Sequence, residues 1–203
     1  KVLTSASNKI ADDMQKISYF YSHINGLSEQ CHYQAATLND IAVADIVLIC
    51  VKSYQVKQVI DAIAAFLTKP TNIILAHNGM GTLLDLPAPL IQQHRFLTLL
   101  TTHGCARPMA KHIIHTGRGR SDLGLLAGEL STQTTNAITK LFNQALPQVS
   151  WQDNIIAKQW QKLAINCVIN PLTALHNMNN GEINKTQFNE IKGKIIAEIV
   201  QVA

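Results

Sequence analysis

Three polar side chains follow one another at intervals of four residues in the otherwise apolar segment WQKLAINCVINPLTALHN. They are Lys162, Asn166 and Asn170. On an α-helix, residues four apart differ by only about 40° around the axis, so an ammonium group and two amides would share one narrow stripe. Asparagine costs roughly 0.5 kcal/mol in a helix relative to alanine. The stripe therefore predicts either a solvated helix face or an active-site wall, where burial lowers the pKa of the lysine toward a range useful for proton transfer.

The elements that must position this stripe follow from hydrophobic periodicity. The runs ADIVLICV, NIILAHN and RFLTLLTTH are typical of parallel strands buried on both faces, and an amphipathic helix that stops at Pro70 separates the first two. The runs KHIIHTG and SDLGLLAG predict an antiparallel hairpin added to that sheet. A helix over about 131–146, with caps among residues 132–135, and a strand QVSWQ follow. The run VLTS after Lys1 is also strand-like.

From residue 154 onward the pattern is helical only, with helices over about 155–177 and from about 186. We therefore predict an α/β domain over residues 1–153, a boundary near Asp153 and an all-helical domain over residues 154–203.

Polar residues follow each of the three predicted parallel strands. VKSYQ supplies Lys52 and Gln55, HNGMGT supplies Asn78, and TTHGC supplies Cys105. Because open α/β sheets bind ligands at the carboxyl ends of their strands, these segments predict a nucleotide-sized crevice at one edge of the sheet. Each segment alone is equally typical of a solvated loop or an ordinary turn.

Composition excludes several other classes of protein. The net charge of +4 is spread thinly over 203 residues, which argues against a nucleic-acid-binding surface. The four cysteines never approach a C-x-x-C spacing, and His112 and His115 would point to opposite faces of a strand, so no metal site is expected. No apolar run reaches the roughly 18 residues that a membrane span needs. We expect a cytoplasmic protein with reduced thiols.

Taken together, the blocks ADIVLICVKSYQV, HNGMGT, TTH and WQKLAINCVINPLTALHNMNNGE resemble the ketopantoate reductase (2-dehydropantoate 2-reductase) family. The resemblance implies a Rossmann-type dinucleotide-binding domain, followed by a helical domain similar to the C-terminal domain of 6-phosphogluconate dehydrogenases. It also implies NADPH-dependent reduction of 2-dehydropantoate to pantoate, a step of pantothenate and coenzyme A biosynthesis. The sequence lacks the family's G-x-G-x-x-G turn and its C-terminal helices, so we expect both ends of a longer protein to lie outside it.

The resemblance also implies roles for individual residues. Lys162 resembles the catalytic general acid, while the residues that resemble substrate-binding amides are Asn166, Asn170 and Asn180. Those expected to contact the cofactor are Lys52, Gln55, Asn78 and, on the same rim, Cys105. The alternatives are another NAD(P)-dependent 2-keto or β-hydroxy acid reductase and a non-catalytic NADPH-binding regulator. Only the resemblance favours NADPH over NADH, and either a monomer or a homodimer is expected.

Overall fold

A computed structural model describes residues 16–202, and the predicted strand near Lys1 lies outside the described residues. The strands are β1 (Lys16–Ser22), β2 (Ser28–Gln34), β3 (Ile46–Ile49), β4 (Asn72–Leu75), β5 (Arg95–Thr101), β6 (Gly104–Met109), β7 (His112–Gly117), β8 (Ser121–Ala127) and β9 (Val149–Trp151). The α-helices are α1 (Asn39–Val43), α2 (Val56–Ile63), α3 (Ala88–Gln93), α4 (Thr132–Ala145), α5 (Ile155–His176) and α6 (Asn189–Val202).

The larger sheet has five strands in the order β3-β4-β5-β8-β9. The first three strands are parallel, β8 runs antiparallel to β5, and β9 runs parallel to β8. Helix α2 connects β3 to β4 because parallel neighbours need a crossover. The predicted α/β class and the Rossmann-type alternation of strands and helices are confirmed.

Each face of this sheet is covered by one apolar cluster. On one face, helix α2 buries Val56, Ile60 and Ile63 against the three parallel strands. On the other face, helix α4 buries Ile138 and Phe142 against β4, β5, β8 and β9. Each such side chain contributes about 1.5–3 kcal/mol to folding. The parallel strands are therefore held rigidly, and their carboxyl ends form a fixed edge.

Strand β3 departs from the prediction that it is buried on both faces. Ile49 is buried beneath α2, but Leu48, which points to the opposite face, is 46% exposed. Among residues 16–202, β3 is the edge strand of its sheet, so nothing covers Leu48 fully. The apolar run correctly predicted a parallel strand, whereas the double-sided burial was wrong for the described part of the chain.

The predicted hairpin of KHIIHTG with SDLGLLAG is also wrong. Strand β7 pairs antiparallel with β6 and parallel with β1, in a second sheet of order β2-β1-β7-β6. Strand β8 instead pairs with β5 in the larger sheet. The short link over residues 118–120 therefore passes from one sheet to the other, because β7 pairs with β6 before it and β8 pairs with the central strand β5.

The remaining elements follow the predictions closely. Helix α4 and strand β9 form as expected, but the side chain that caps α4 is Ser131, which accepts from Thr134 N, rather than a residue of 132–135. Helices α5 and α6 follow, joined by short 3-10 segments. The boundary near Asp153 stays a prediction, which limited proteolysis can test. Within residues 16–202, no helix has the length and apolar character that crossing a bilayer demands.

Candidate active site

The register of the parallel strands aligns the ends of β3, β4 and β5, where three of the predicted loops begin. Ile49 pairs with Leu75, and Leu75 pairs with Thr98, so these three residues form one row across the sheet. Three residues beyond that row stand Lys52, Asn78 and Thr101, at the carboxyl ends of β3, β4 and β5. Adjacent strands lie about 4.8 Å apart, so the loops that carry Lys52 and Asn78 leave the same edge of the sheet at which β5 ends with Thr101.

The loops after β3 and β4 touch each other. A Cβ atom placed on Gly79 would lie 3.7 Å from Ser53 Cβ, an ordinary van der Waals contact. Gly79 and Gly81 have φ values of 108° and 80°, which side chains rarely tolerate. The segment HNGMGT therefore needs glycine at both positions to turn, and the side chain of Asn78 beside this turn is exposed.

The side-chain amide of Gln55 orders the segment VKSYQ by accepting a hydrogen bond from its backbone. The backbone N–H of Lys52 donates to Gln55 Oε1 over 3.2 Å, and residues Ser53–Gln55 form one 3-10 turn that leads into α2. This hydrogen bond fixes the Gln55 side chain against the loop and leaves its NH₂ group without a partner among the described residues. The ammonium group of Lys52 is exposed. Both residues thus present donors toward solvent beside the row.

Helix α5 is held against the sheet at its first turn. Asn154 caps it by accepting from Ala157 N over 3.1 Å, and just before it Gln152 Nε2 donates to Asp122 Oδ1 over 2.7 Å. At this point the helix passes directly over Gly124 of β8, where a Cβ atom would clash with Ile155 Cβ and lie 2.7 Å from Gln152 O. The missing side chain of Gly124 therefore sets how closely α5 approaches the sheet.

This placement carries Lys162 to the end of the central strand. Its ammonium Nζ donates to the backbone oxygen of Thr101 over 2.7 Å, across 61 positions of sequence. Lys162 is half-buried, and burial lowers the pKa of its ammonium group below the ordinary lysine value. One of the three N–H donors is used by Thr101, so two remain for other acceptors.

The asparagines of the stripe extend away from this bond along α5. Asn166 is half-buried and Asn170 is exposed, and neither amide makes a hydrogen bond within residues 16–202. Pro171 lies inside the helix, where it cannot donate to the carbonyl of Cys167. Asn180, also exposed, begins the 3-10 segment Asn180–Asn184, which packs against α5. These three amides are available to a ligand.

Cys105 lies in a different sheet from the strands that lead to Lys52, Gln55 and Asn78. It lies in β6 of the smaller sheet, opposite His115, and its Sγ faces the carbonyl of Ala106 at 3.9 Å. The chain has turned into the second sheet by this point, because Gly104 already pairs with Gly117. Cys105 is therefore outside the row formed by the strand ends.

Three residues that support the site were missed by the sequence reasoning. The carbonyl of Thr101 gave no signal, since any residue supplies one. Gly124 did give a signal, because a glycine inside a strand pattern often marks close backbone approach. Gln159, which is only 7% exposed one turn before Lys162, is a buried amide on the face of α5 that packs on the sheet.

The arrangement is suited to acid–base chemistry on an oxygen atom. A lysine with a lowered pKa can give a proton and take it back, and amides nearby can orient a carbonyl group. Within residues 16–202, no three His, Cys, Asp or Glu side chains come close enough together to hold a metal ion.

Comparison with known proteins shows the family to which the chain belongs. Residues 11–128 match the family described as "Ketopantoate reductase PanE/ApbA", and residues 154–203 match its C-terminal part. The chain is 38% identical over 159 residues to a 2-dehydropantoate 2-reductase of Yersinia pestis, covering 78% of this chain and 50% of that protein. It thus spans about half the length of the curated relatives that it matches.

Solved structures share the fold at low sequence identity. A PanE/ApbA family ketopantoate reductase from Ralstonia eutropha superposes with a TM-score of 0.74 at 22% identity, covering 91% of this chain and 60% of that one. A D-mandelate dehydrogenase determined with NADH and anilino(oxo)acetate gives a TM-score of 0.76 at 16% identity, covering 91% and 59%.

Proposed function

Because the chain belongs to the ketopantoate reductase family, we propose that the full-length protein reduces 2-dehydropantoate to pantoate with a nicotinamide cofactor. The observation that carries the proposal is the hydrogen bond from Lys162 Nζ to the carbonyl of Thr101. It joins the polar stripe of α5 to the carboxyl end of a parallel strand, where open α/β sheets bind nucleotides.

The residues present fit the nicotinamide end of a dinucleotide. The glycine-rich turn at Gly79 packs on Ser53, so the loops after β3 and β4 form one continuous edge on which a planar ring would lie. Lys52, Gln55 and Asn78 would hold the cofactor, because their side-chain donors lie in the loops at this edge and have no partner within residues 16–202. The nicotinamide, when bound, supplies a hydride to the substrate carbonyl carbon. We propose NADPH as the form used, in keeping with the family resemblance.

The chain's own residues supply the proton and the orientation of the substrate. Lys162 donates one of its two remaining N–H groups to the carbonyl oxygen of the keto acid, and the proton moves to that oxygen as negative charge develops. The bond to Thr101 keeps the ammonium group at this position throughout. Asn166 orients the same carbonyl, and Asn170 and Asn180 hold the polar groups at the far end of the substrate.

The first experiment is an assay of NADPH consumption by the full-length protein with 2-dehydropantoate. Pyruvate and phenylglyoxylate, the keto acid that corresponds to mandelate, serve as comparison substrates, and NADH is run beside NADPH. Selective turnover of 2-dehydropantoate supports the proposal. Faster turnover of another keto acid would show that the protein is a reductase for a different substrate. Cofactor binding without any turnover would show that it is a non-catalytic regulator.

We also propose a cytoplasmic protein, monomeric or homodimeric, whose partners are small molecules rather than nucleic acids. All four cysteines are free thiols, which suits a reducing compartment. The formal charge of +4 is not gathered into a long basic run. Sedimentation of the purified protein distinguishes the two oligomeric states.

A further inference from the structure

A second cleft opens beside the proposed active site, and the proposed function does not use it. Its volume is about 810 Å³. It is lined by the turn between β1 and β2, by Thr102 and His103 after β5, by the link 118–120 before β8, and by residues 147–148 before β9. In the strand order, this end of the sheet lies beyond β5, away from β3 and β4 where the cofactor would bind.

The charge of the cleft is one-sided. Arg118 and Arg120 both line it, and no aspartate or glutamate of the described part of the chain does. Within residues 16–202, neither guanidinium group has an ion-pair or hydrogen-bond partner, and both side chains are exposed. Two unpaired guanidinium groups lining one concave surface attract an anion, since each presents several N–H donors and stays charged at every physiological pH.

The backbone that carries these arginines is held tightly. Gly119, between them, presses against the chain after β5, where a Cβ atom would clash with Thr102 C and lie 2.5 Å from His103 N. Arg120 N donates to Thr102 Oγ1 over 2.9 Å, and Thr102 N donates to Arg120 O over 2.9 Å. The two arginines therefore project from a fixed loop, which lowers the entropy lost on binding.

The histidines in the cleft complete this rigid frame. Gly119 N donates to His103 Nδ1 over 3.1 Å, so that ring nitrogen is an acceptor. His103 Nε2 lies 3.3 Å from Pro147 O and therefore donates to it. His115 Nε2 lies 2.9 Å from Gly117 O and donates to it, and it also lies 3.2 Å from His103 Nδ1. The positive charge that the cleft offers to an anion is that of Arg118 and Arg120.

We propose that this cleft is a binding site for the phosphate group of a small molecule, held by Arg118 and Arg120. Arginine pairs well with phosphate because its planar N–H groups can meet two oxygen atoms at once. The volume is much greater than one phosphate requires, so the rest of the ligand occupies the space toward residues 147–148. The site does not depend on the proposed reaction, although Thr102, which lines it, directly follows Thr101, the acceptor of the hydrogen bond from Lys162.

The test is calorimetric titration of the full-length protein with inorganic pyrophosphate at constant ionic strength, with and without saturating NADPH. We expect binding that NADPH leaves unchanged. Arg118→Gln and Arg120→Gln should each weaken it by roughly tenfold, and the double variant by about a hundredfold. Arg107→Gln, which changes an exposed arginine of β6 outside the cleft, is the matched control and should leave the affinity unchanged.

Other results overturn the proposal. Absence of binding by the wild-type protein would do so, as would equal binding by the double variant. Displacement of pyrophosphate by NADPH would assign the binding to the dinucleotide crevice instead. The substituted side chains are exposed, and the bonds that hold their loop come from the backbone, Thr102 and His103. Thermal unfolding of the variants should therefore match that of wild type and confirm that they are intact.

Discussion

Gly124 of β8 and Ile155 at the first turn of α5 lie so close together that no side chain fits between them. This contact sets the height of α5 above the sheet. Seven residues further along the same helix, Lys162 reaches the carbonyl of Thr101 over 2.7 Å. A glycine with no chemical group of its own therefore determines where the ammonium group of the site stands.

Gly124→Ala should disturb both stability and activity. The added methyl group would meet Ile155 and the backbone oxygen of Gln152, neither of which can move without shifting α5. We expect a loss of about 1–3 kcal/mol in the free energy of unfolding, measured by denaturant titration, and a lower kcat. Gly193→Ala on exposed α6 has open space and should gain up to about 1 kcal/mol. Equal stability of the two variants would contradict the packing argument.

Lys162→Ala should abolish most turnover while the protein stays folded. A positioned general acid contributes roughly 10²–10⁴-fold to the rate, so kcat should fall by that factor with 2-dehydropantoate as substrate. Lys140→Ala, which removes an exposed lysine from α4 on the opposite face of the sheet, is the control for charge. Near-normal kcat for the Lys162 variant, with its circular dichroism unchanged, would remove Lys162 from the mechanism.

The pH dependence of kcat/KM should report the environment of Lys162. Burial lowers the pKa of Lys162, and the general acid must carry its proton at the start of the reaction. The rate should therefore fall as pH rises through the lowered value, starting below the ordinary lysine pKa of about 10.4. A profile that stays flat up to that ordinary value would argue against a buried acid. The Lys140→Ala variant should give the same profile as wild type.

Asn78→Ala should weaken cofactor binding without affecting the fold. Asn78 is exposed just beyond the carboxyl end of β4, and its side chain makes no hydrogen bond within residues 16–202. We expect the KM for the nicotinamide nucleotide to rise by roughly tenfold, as for loss of one or two hydrogen bonds. Asn136→Ala on the exposed surface of α4 should leave that KM unchanged. A KM equal to wild type in both variants would exclude Asn78 from the cofactor site.

His94 should make the fold sensitive to acid. It is 2% exposed, its Nδ1 accepts from Thr71 N over 3.3 Å, and burial lowers its pKa. As pH falls below about 6.5, the unfolded chain binds a proton that the folded chain disfavours, so the free energy of unfolding decreases. His94→Gln should reduce this decrease, because glutamine keeps an acceptor that does not titrate. Parallel stability curves for the two proteins between pH 7 and about pH 5 would show that His94 is not responsible.

Local sequence patterns identified some elements and missed others for identifiable reasons. The turn Asn25-Gly26, with φ of 86° at Gly26, is a strong hairpin signal for β1 and β2 that the sequence reasoning overlooked. Residues 118–120 were predicted to form a hairpin turn because they are a short link between two strands. The two flanking strands belong to different sheets because β8 pairs with β5, some twenty residues earlier. Pairing over such a distance leaves no trace in the local sequence pattern.

The sequence by itself determined the α/β class, the parallel strands, the long helix and the stripe of Lys162, Asn166 and Asn170, since periodicity and residue type are local properties. Only the tertiary structure decided that Lys162 meets Thr101, that Cys105 turns away into a second sheet, and that Arg118 and Arg120 line one cleft. These relationships depend on strand order, on register and on the close approach allowed by Gly124. Each joins residues far apart in the chain, where packing rather than local preference selects the partner.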